Sequence, residues 1–284
     1  MNAVLVDAVA GWRSNRAAPT FRSPMSPMPP MSPMSPMSPM SPMPAMPFLI
    51  LETGQPVASM RRHGSFAHWI RVAAGLARDA AVVVDVQRGD ALPSREGFAG
   101  TIVTGSAAMV TERHDWSERS AGWLRDAAHA GMPLLGICYG HQLLAHALGG
   151  EVGPNPAGRE MGTIQLDLHP PAAHDPLFSG LPLQFPAQAT HLQSVLRLPE
   201  GATVLAQSAQ DAAHAFRWGD AVWGLQFHPE FSTTHMRGYI RARSEALANE
   251  GHCDKRLARE VSAAPQARQV LRRFVRHARV ARGS

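Results

Sequence analysis

Leu134-Leu135-Gly136-Ile137-Cys138-Tyr139-Gly140-His141-Gln142, running on into Leu143-Leu144-Ala145-His146-Ala147-Leu148-Gly149-Gly150, decides how the rest of the chain is read. Upstream of Cys138, Met132 to Ile137 is a short apolar run behind a turn signal at Gly131, the pattern of a buried strand. Downstream, Leu143, Leu144, Ala147 and Leu148 recur at helical spacing, and Gly149-Gly150 supplies the stop. Cys138 therefore sits on the corner between a strand and a helix. Gly136 and Gly140 flank it where side chains would collide across so tight a turn. This is the geometry of a nucleophile elbow with sulfur in place of oxygen.

Such a corner lifts the sulfur above the end of the sheet, where a substrate can reach it. It also places the sulfur at a helix N-terminus, whose partial positive charge favours the thiolate. The backbone N–H of Tyr139 is aimed where an oxyanion would form. The bland alternative, a small buried hydrophobe, is what most free cysteines are. It leaves unexplained the two bracketing glycines and the polar pair His141-Gln142 that opens an otherwise apolar helix.

Gly136 to Gln142 resembles the signature of class I (triad-type) glutamine amidotransferase domains. Gln226-Phe227-His228-Pro229-Glu230 is a second, independent match. The resemblance runs from about Phe48 through the His228-Pro229-Glu230 segment and is strongest to freestanding GMP-synthase-like amidotransferases. It implies an α/β, flavodoxin-like three-layer sandwich with a mostly parallel central sheet and a small antiparallel strand addition. It also implies a Cys138-His228-Glu230 triad. Pro229 holds His228 extended, and Glu230 can fold back onto the imidazole Nδ1–H, leaving Nε2 facing the thiol.

The segments between the two motifs read consistently with that fold. Phe48-Leu49-Ile50-Leu51 is a first strand, followed by a helix from the N-cap Ser65 with Phe66, Trp69, Ile70, Ala73 and Leu76 on one face. Ala81 to Val86 is continuous and β-branched, as a strand covered on both sides should be. Phe98 to Thr104 is the next strand, ending in Gly105-Ser106. By resemblance Ser106 supplies the second oxyanion donor from its main chain, with Gly105 permitting the close approach. Trp116 to His129 is a helix with Trp123, Leu124, Ala127 and Ala128 inward and Gly131 as its stop. The alternation of strand and helix argues for a sheet with helices on both faces and a ligand site beyond the strands' C-terminal ends.

After Glu151 the pattern changes to short alternating strands, including Thr163 to Leu168, Ala202 to Ser208, Ala213 to Trp218 and Ala221 to Phe227. Gly158-Arg159-Glu160-Met161-Gly162 is similar to the family's loop lining the glutamine pocket, which makes Gly162 a substrate-binding candidate. Gln142 is another by the same resemblance. His191, in Thr190-His191-Leu192-Gln193-Ser194, is either a pocket residue or a structural histidine. Met236 to Glu250 reads as helical, and the arginine-rich end around Val270 to Val280 as an amphipathic surface helix with a solvated face.

The domain reading is a disordered Ser-Pro-Met-rich extension over 1–46, an amidotransferase domain over 47–250 and a basic helical extension over 251–284. A proline at every third residue from Ser23 to Met43 excludes helix and sheet ladders; a Pro-rich ligand is the alternative. Met46, directly before the first strand, is a candidate natural start. The formal charge of +5 is concentrated between Lys255 and Arg282, so it describes that end and predicts no specific nucleic acid. Two cysteines are too few for a disulfide framework, and no apolar run reaches the roughly 18 residues of a membrane span. A cytoplasmic protein is expected.

The implied reaction is hydrolysis of the glutamine side-chain amide, without metal or organic cofactor. The ammonia goes in trans to a separate ammonia-accepting synthetase, or the domain works alone as a γ-glutamyl peptidase or amidase. A related branch of the fold, the intracellular proteases and chaperones, carries His directly after the nucleophile, where this chain has Tyr139. A non-catalytic binding module would need a broken triad.

Overall fold

The computed structural model describes residues 46–283; the expected Ser-Pro-Met-rich extension, apart from Met46, lies outside them. The chain begins with β1 (Phe48–Glu52), α1 (Phe66–Ala74), β2 (Ala81–Asp85), β3 (Gly100–Val103), α2 (Asp115–His129), β4 (Leu134–Ile137) and α3 (Tyr139–Ala147). It continues through β5 (Glu151–Pro154), β6 (Glu160–Leu168), β7 (Gln184–His191), β8 (Gln193–Arg197), β9 (Ala202–Gln207), β10 (Ala215–Trp218) and β11 (Val222–Leu225). Four helices close it: α4 (Thr233–Ala242), α5 (Ser244–Asn249), α6 (Asp254–Glu260) and α7 (Pro265–Ala281).

The main sheet has the order β2-β1-β3-β4-β11-β10-β9-β6-β7, with a separate β5-β8 ribbon. The first five strands of that order are mutually parallel, and the four beyond β11 are antiparallel. The antiparallel addition is thus four strands that prolong the main sheet, plus the β5-β8 ribbon. Alternate residues of β1 serve opposite faces: Phe48 and Ile50 pack with α1 and α7, Leu49 and Leu51 with α2 and α3. Ser65 caps α1, its side chain accepting the His68 N–H at 3.3 Å.

One sequence expectation is corrected and one is extended. β2 is the edge strand, and Val82 and Val83 are 42 % and 47 % exposed, so its β-branched run reflects strand preference and not burial on both sides. α7 is amphipathic, as expected, with Gln269, Arg272 and Arg276 exposed, but its other face packs deep into the domain. Ala267, Val270, Leu271, Phe274 and Ala278 form a stripe at helical spacing that is fully buried against the sheet. Its arginines are partly structural: Arg272 Nε donates to Ala73 O at the end of α1 (3.0 Å), and Arg273 Nη1 to Ser179 O (2.6 Å).

Insertion of β11 beside β4 positions the chemistry. Leu225 pairs with Ile137, and the Cys138 N–H donates to Leu225 O at 2.8 Å. The segment after β11 and the corner after β4 therefore leave the same edge of the sheet side by side. Ninety positions of sequence separation close there. No helix among the described residues is long and apolar enough to cross a membrane.

Candidate active site

Cys138 has φ 52° and ψ −102°, a backbone conformation that non-glycine residues rarely adopt. The glycines around it are required by contact. A Cβ on Gly136 would lie 2.2 Å from Gly140 O, and one on Gly140 would lie 2.5 Å from Val103 O. The Gly140 N–H donates to Thr104 O at 3.1 Å, which ties the elbow to the end of β3. Cys138 is 7 % exposed at the N-terminal end of α3. The Tyr139 hydroxyl points away, into α2, where it meets Ser117 Oγ at 2.6 Å; burial pushes its pKa up to about 12. Only the main chain of Tyr139 is left to serve the site.

His228 leaves β11 held by its own N–H, which donates to Gln188 O at 2.8 Å. Its Nδ1 donates to Glu230 Oε1 at 2.8 Å, and Phe231 stacks on the ring at 4.2 Å between centroids. Nε2 is buried without a hydrogen-bond partner. Burial alone would depress the imidazole, but the Glu230 carboxylate and the Cys138 thiolate outweigh it and raise His228 to about 10. Burial would likewise raise the Cys138 thiol, yet the His228 imidazolium, with His191 behind it, brings it below its ordinary value. Thiolate and imidazolium thus favour one another across the pair.

The Gly105-Ser106 loop lies against this pair. A Cβ on Gly105 would come within 3.2 Å of His228 Cε1 and 3.8 Å of Cys138 Cβ, so only glycine leaves the space clear. Ser106 Oγ turns back to accept from the Ala108 N–H at 3.1 Å, consistent with a main-chain part for this residue.

Two cavities meet at Cys138, and Ser106, Ala107, Thr190 and Arg243 border both. The larger, about 240 Å³, contains Gln142, Tyr139 and His191 in its wall. The smaller, about 130 Å³, contains His228. Gln142 Nε2 is anchored on Gln193 O (2.7 Å) and Gln226 Oε1 (2.9 Å). Its neighbour His141 is fully buried away from the site, against Phe216 and β11, and burial lowers its pKa to about 3. Gly162 borders neither cavity. It sits within β6 facing Leu257, so the expected substrate-binding candidate contributes a positive-φ bend (φ 120°) in the strand.

His191 is both a pocket residue and a structural one. Its Nε2 meets Glu160 Oε2 at 2.8 Å and its Nδ1 meets Gln193 O at 3.0 Å; since both partners can only accept, both nitrogens carry protons. Burial opposes that charge, but Glu160 overrides it and His191 is raised. Glu160 also accepts from His214 Nε2 (2.7 Å) and Ser208 Oγ (2.7 Å), and these partners hold its carboxyl well below the usual range despite burial. The Glu160, His191 and His214 ligand atoms are close enough to hold a metal ion. Both imidazole Nε2–H groups already donate to the carboxylate, however, while His214 Nδ1 is buried without a partner.

Sequence reasoning missed Arg243, and it placed Arg159 and Gln193 in pocket segments without singling them out. Arg243 Nη1 donates to Thr190 Oγ1 at 2.7 Å, and Arg159 forms a bidentate pair with Glu250 at 2.7 and 2.9 Å. Only tertiary placement brings Arg243 to the pocket.

Comparison with known proteins gives the family. The profile of the glutamine amidotransferase class-I family matches residues 62–244. A glutamine-hydrolysing GMP synthase from Thermomicrobium roseum is 40 % identical over 141 residues, which cover 50 % of this chain and 25 % of that protein. The chain thus spans about a quarter of that relative's length. In Methanoregula boonei, one of the subunits of a glutamine-hydrolysing GMP synthase is 30 % identical over 197 residues, covering 69 % of this chain and 99 % of that protein. In fold, a glutamine amidotransferase from Thermotoga maritima superposes with a TM-score of 0.65 at 20 % identity, over 83 % of this chain and 98 % of that one. By profile and by full-length likeness to a GMP synthase component, this chain belongs to the class I glutamine amidotransferases.

Proposed function

We propose that the chain hydrolyses the side-chain amide of glutamine to glutamate and ammonia, with Cys138, His228 and Glu230 as its triad. The observation that carries this is the buried, unpartnered Nε2 of an imidazole whose Nδ1 is fixed by Glu230 and whose charge is coupled to the Cys138 sulfur. The Cys138 thiolate attacks the amide carbon. The oxyanion is held by the main-chain N–H groups of Tyr139 and Ser106, each worth about 3–4 kcal/mol in the transition state. His228 gives its proton to the departing nitrogen, then takes one from the water that cleaves the γ-glutamyl thioester. Gln142 shapes the wall of the larger cavity, which takes the glutamyl moiety. His191 lends it a fixed positive charge. No cofactor enters this scheme.

The ammonia passes to an acceptor protein in trans. Support comes from the relative whose whole length the chain matches, which is itself one component of a glutamine-hydrolysing synthase. The purified protein should release glutamate and ammonia from glutamine in equal amounts, and an acid quench should trap a γ-glutamyl adduct on Cys138. Cys138→Ala should lose turnover and adduct while still folding. Retention of glutamate release in that variant would end the proposal.

A further inference from the structure

Glu160 and His191 face each other across the β6-β7 pair, and His214 comes to meet them from the turn that leads into β10. All three are buried. Glu160 offers two oxygens, yet both rings donate to the same one. His191 Nε2 lies 2.8 Å and His214 Nε2 2.7 Å from Oε2, while Oε1 is taken by Ser208 Oγ at 2.7 Å. One carboxylate oxygen and two imidazole nitrogens thus point at a common centre, all within 4.8 Å of one another. Two histidines and a carboxylate are a donor set that holds zinc-class divalent ions with a fourth position open.

The surroundings are those of a ligand sphere. A metal-bound imidazole is oriented by the bond its other nitrogen donates, and a bound carboxylate by a hydrogen bond of its own. His191 Nδ1 donates to Gln193 O at 3.0 Å, which turns Nε2 inward, and the Ser208 bond leaves Oε2 facing the rings. The rings lie 5.5 Å apart between centroids, with their planes at 80°. Two imidazoles on one tetrahedral ion, with bonds of about 2.0–2.1 Å, stand about 5.2 Å apart between centroids, so the rings need hardly move. The carboxylate oxygen must withdraw by about 0.6 Å, from hydrogen-bond to coordination spacing. Entry is open from two sides. His191 borders the cavity of about 240 Å³ at Cys138, and Glu160 with Ser208 borders another, of about 360 Å³, between β6 and α6.

We propose that Glu160, His191 and His214 bind one divalent transition-metal ion of the zinc class behind the wall of the larger cavity. The ion takes the place of protons, and no electron moves. His191 carries a proton on each nitrogen and gives the one on Nε2 to solvent. His214 can keep its Nε2 proton by moving it to Nδ1, the nitrogen buried without a partner. Binding therefore releases about one to two protons per ion. The role follows from position: the ion ties β6 and β7 to the turn before β10 and keeps positive charge behind the wall that faces Cys138. The site does not depend on the triad.

The test uses the full-length Cys138→Ala/Cys253→Ser protein, which has no thiol to compete for metal and needs no glutamine turnover. Zn²⁺ titrated in competition with a chromophoric chelator should saturate at one ion per chain and release about one to two protons into weakly buffered solution. His214→Ala in that background should weaken binding by about a hundredfold or more, and Ser208→Ala, which keeps all three ligands, by about tenfold to a hundredfold. Urea midpoints without metal check that each variant folds; should His214→Ala fail, Ser208→Ala carries the comparison. Co²⁺ in place of Zn²⁺ should give the visible absorption of a low-coordinate nitrogen and oxygen site, weakened by the same substitutions. Absence of saturable Zn²⁺ binding in the parent protein would overturn the proposal. So would binding that persists undiminished in every folded variant, which would place the ion on surface histidines.

Discussion

Replacing Glu230 by Gln keeps an oxygen for the His228 Nδ1–H to donate to and removes the charge. The wild-type bond is 2.8 Å long between side chains only 3 % and 2 % exposed, so solvent does little to soften the loss. A hydrogen bond to a charged group is worth about 1.5–3 kcal/mol, and a pKa unit is about 1.4 kcal/mol. Glu230→Gln should therefore bring His228 down by about one to two units from its present value of about 10. Glu230 also raises the Cys138 thiol directly, so with the imidazole still protonated the thiol should fall slightly when that charge is removed. The pH range over which the thiolate–imidazolium pair exists should thus shift down at both limbs. Its low limb moves down because no carboxylate opposes the thiolate, and its high limb moves down because the imidazolium loses its proton sooner. Alkylation of Cys138 by iodoacetamide across pH reads the low limb, with the exposed Cys253 replaced by Ser to silence the background. The kcat/KM profile for glutamine reads the high limb. Linkage gives a third reading. Stability from the raised His228 is complete below its ordinary value of 6.5 and is lost as pH rises toward about 10, and in the variant that loss should be smaller and end at lower pH. Superimposable alkylation profiles for the two proteins would refute the charge coupling on which the mechanism rests.

Three further perturbations test the frame around the pair. Gly136→Ala sets a Cβ 2.2 Å from Gly140 O, a backbone atom that cannot rotate away, so destabilisation of about 1–3 kcal/mol or more is expected in urea unfolding, with loss of Cys138 reactivity. Glu160→Gln leaves the doubly protonated His191 without its counter-charge. It should cost about 3–5 kcal/mol near pH 5.5, where wild-type Glu160 is ionised and His191 charged, and less once pH exceeds the raised His191 value in the wild type. Equal losses at pH 5.5 and at strongly alkaline pH would show the pair is not ionic. Phe274→Ala removes a fully buried ring that meets Phe48 at 6.3 Å and Trp223 at 6.2 Å, and should cost about 3–5 kcal/mol. An unchanged urea midpoint would show that the buried face of α7 adds little to the core.

What is legible in the sequence follows from how each feature is encoded. The elbow can be read because its constraint is local: Gly136 and Gly140 contact atoms within four residues or on the adjoining β3, and no other side chain fits. The His228-Pro229-Glu230 segment can be read for the same reason, since the bond between the two triad members spans only two residues. That β11 lies beside β4 cannot, because strand adjacency depends on which edges remain free after the earlier strands pair. How deeply α7 is buried is hidden for a different reason. Arginine at positions 268, 272, 273, 276 and 279 dominates a composition-based reading, while the apolar stripe from Ala267 to Ala278 that outweighs it is visible only as a helical period. His191 stands between two roles in the sequence because nothing near it names Glu160, thirty-one residues earlier, as its counter-charge. The wall of the smaller cavity is the furthest case. Arg61 and Arg243 come from segments on either side of the catalytic core, and neither belongs to a motif. A residue on a strand-to-helix corner must be held at one angle, and the chain records that need as glycines at fixed offsets. A side chain lining a cavity needs only to arrive at its wall, and many positions on many helices can supply it. The corner is therefore written in local sequence, whereas the walls around it are written in how distant segments pack.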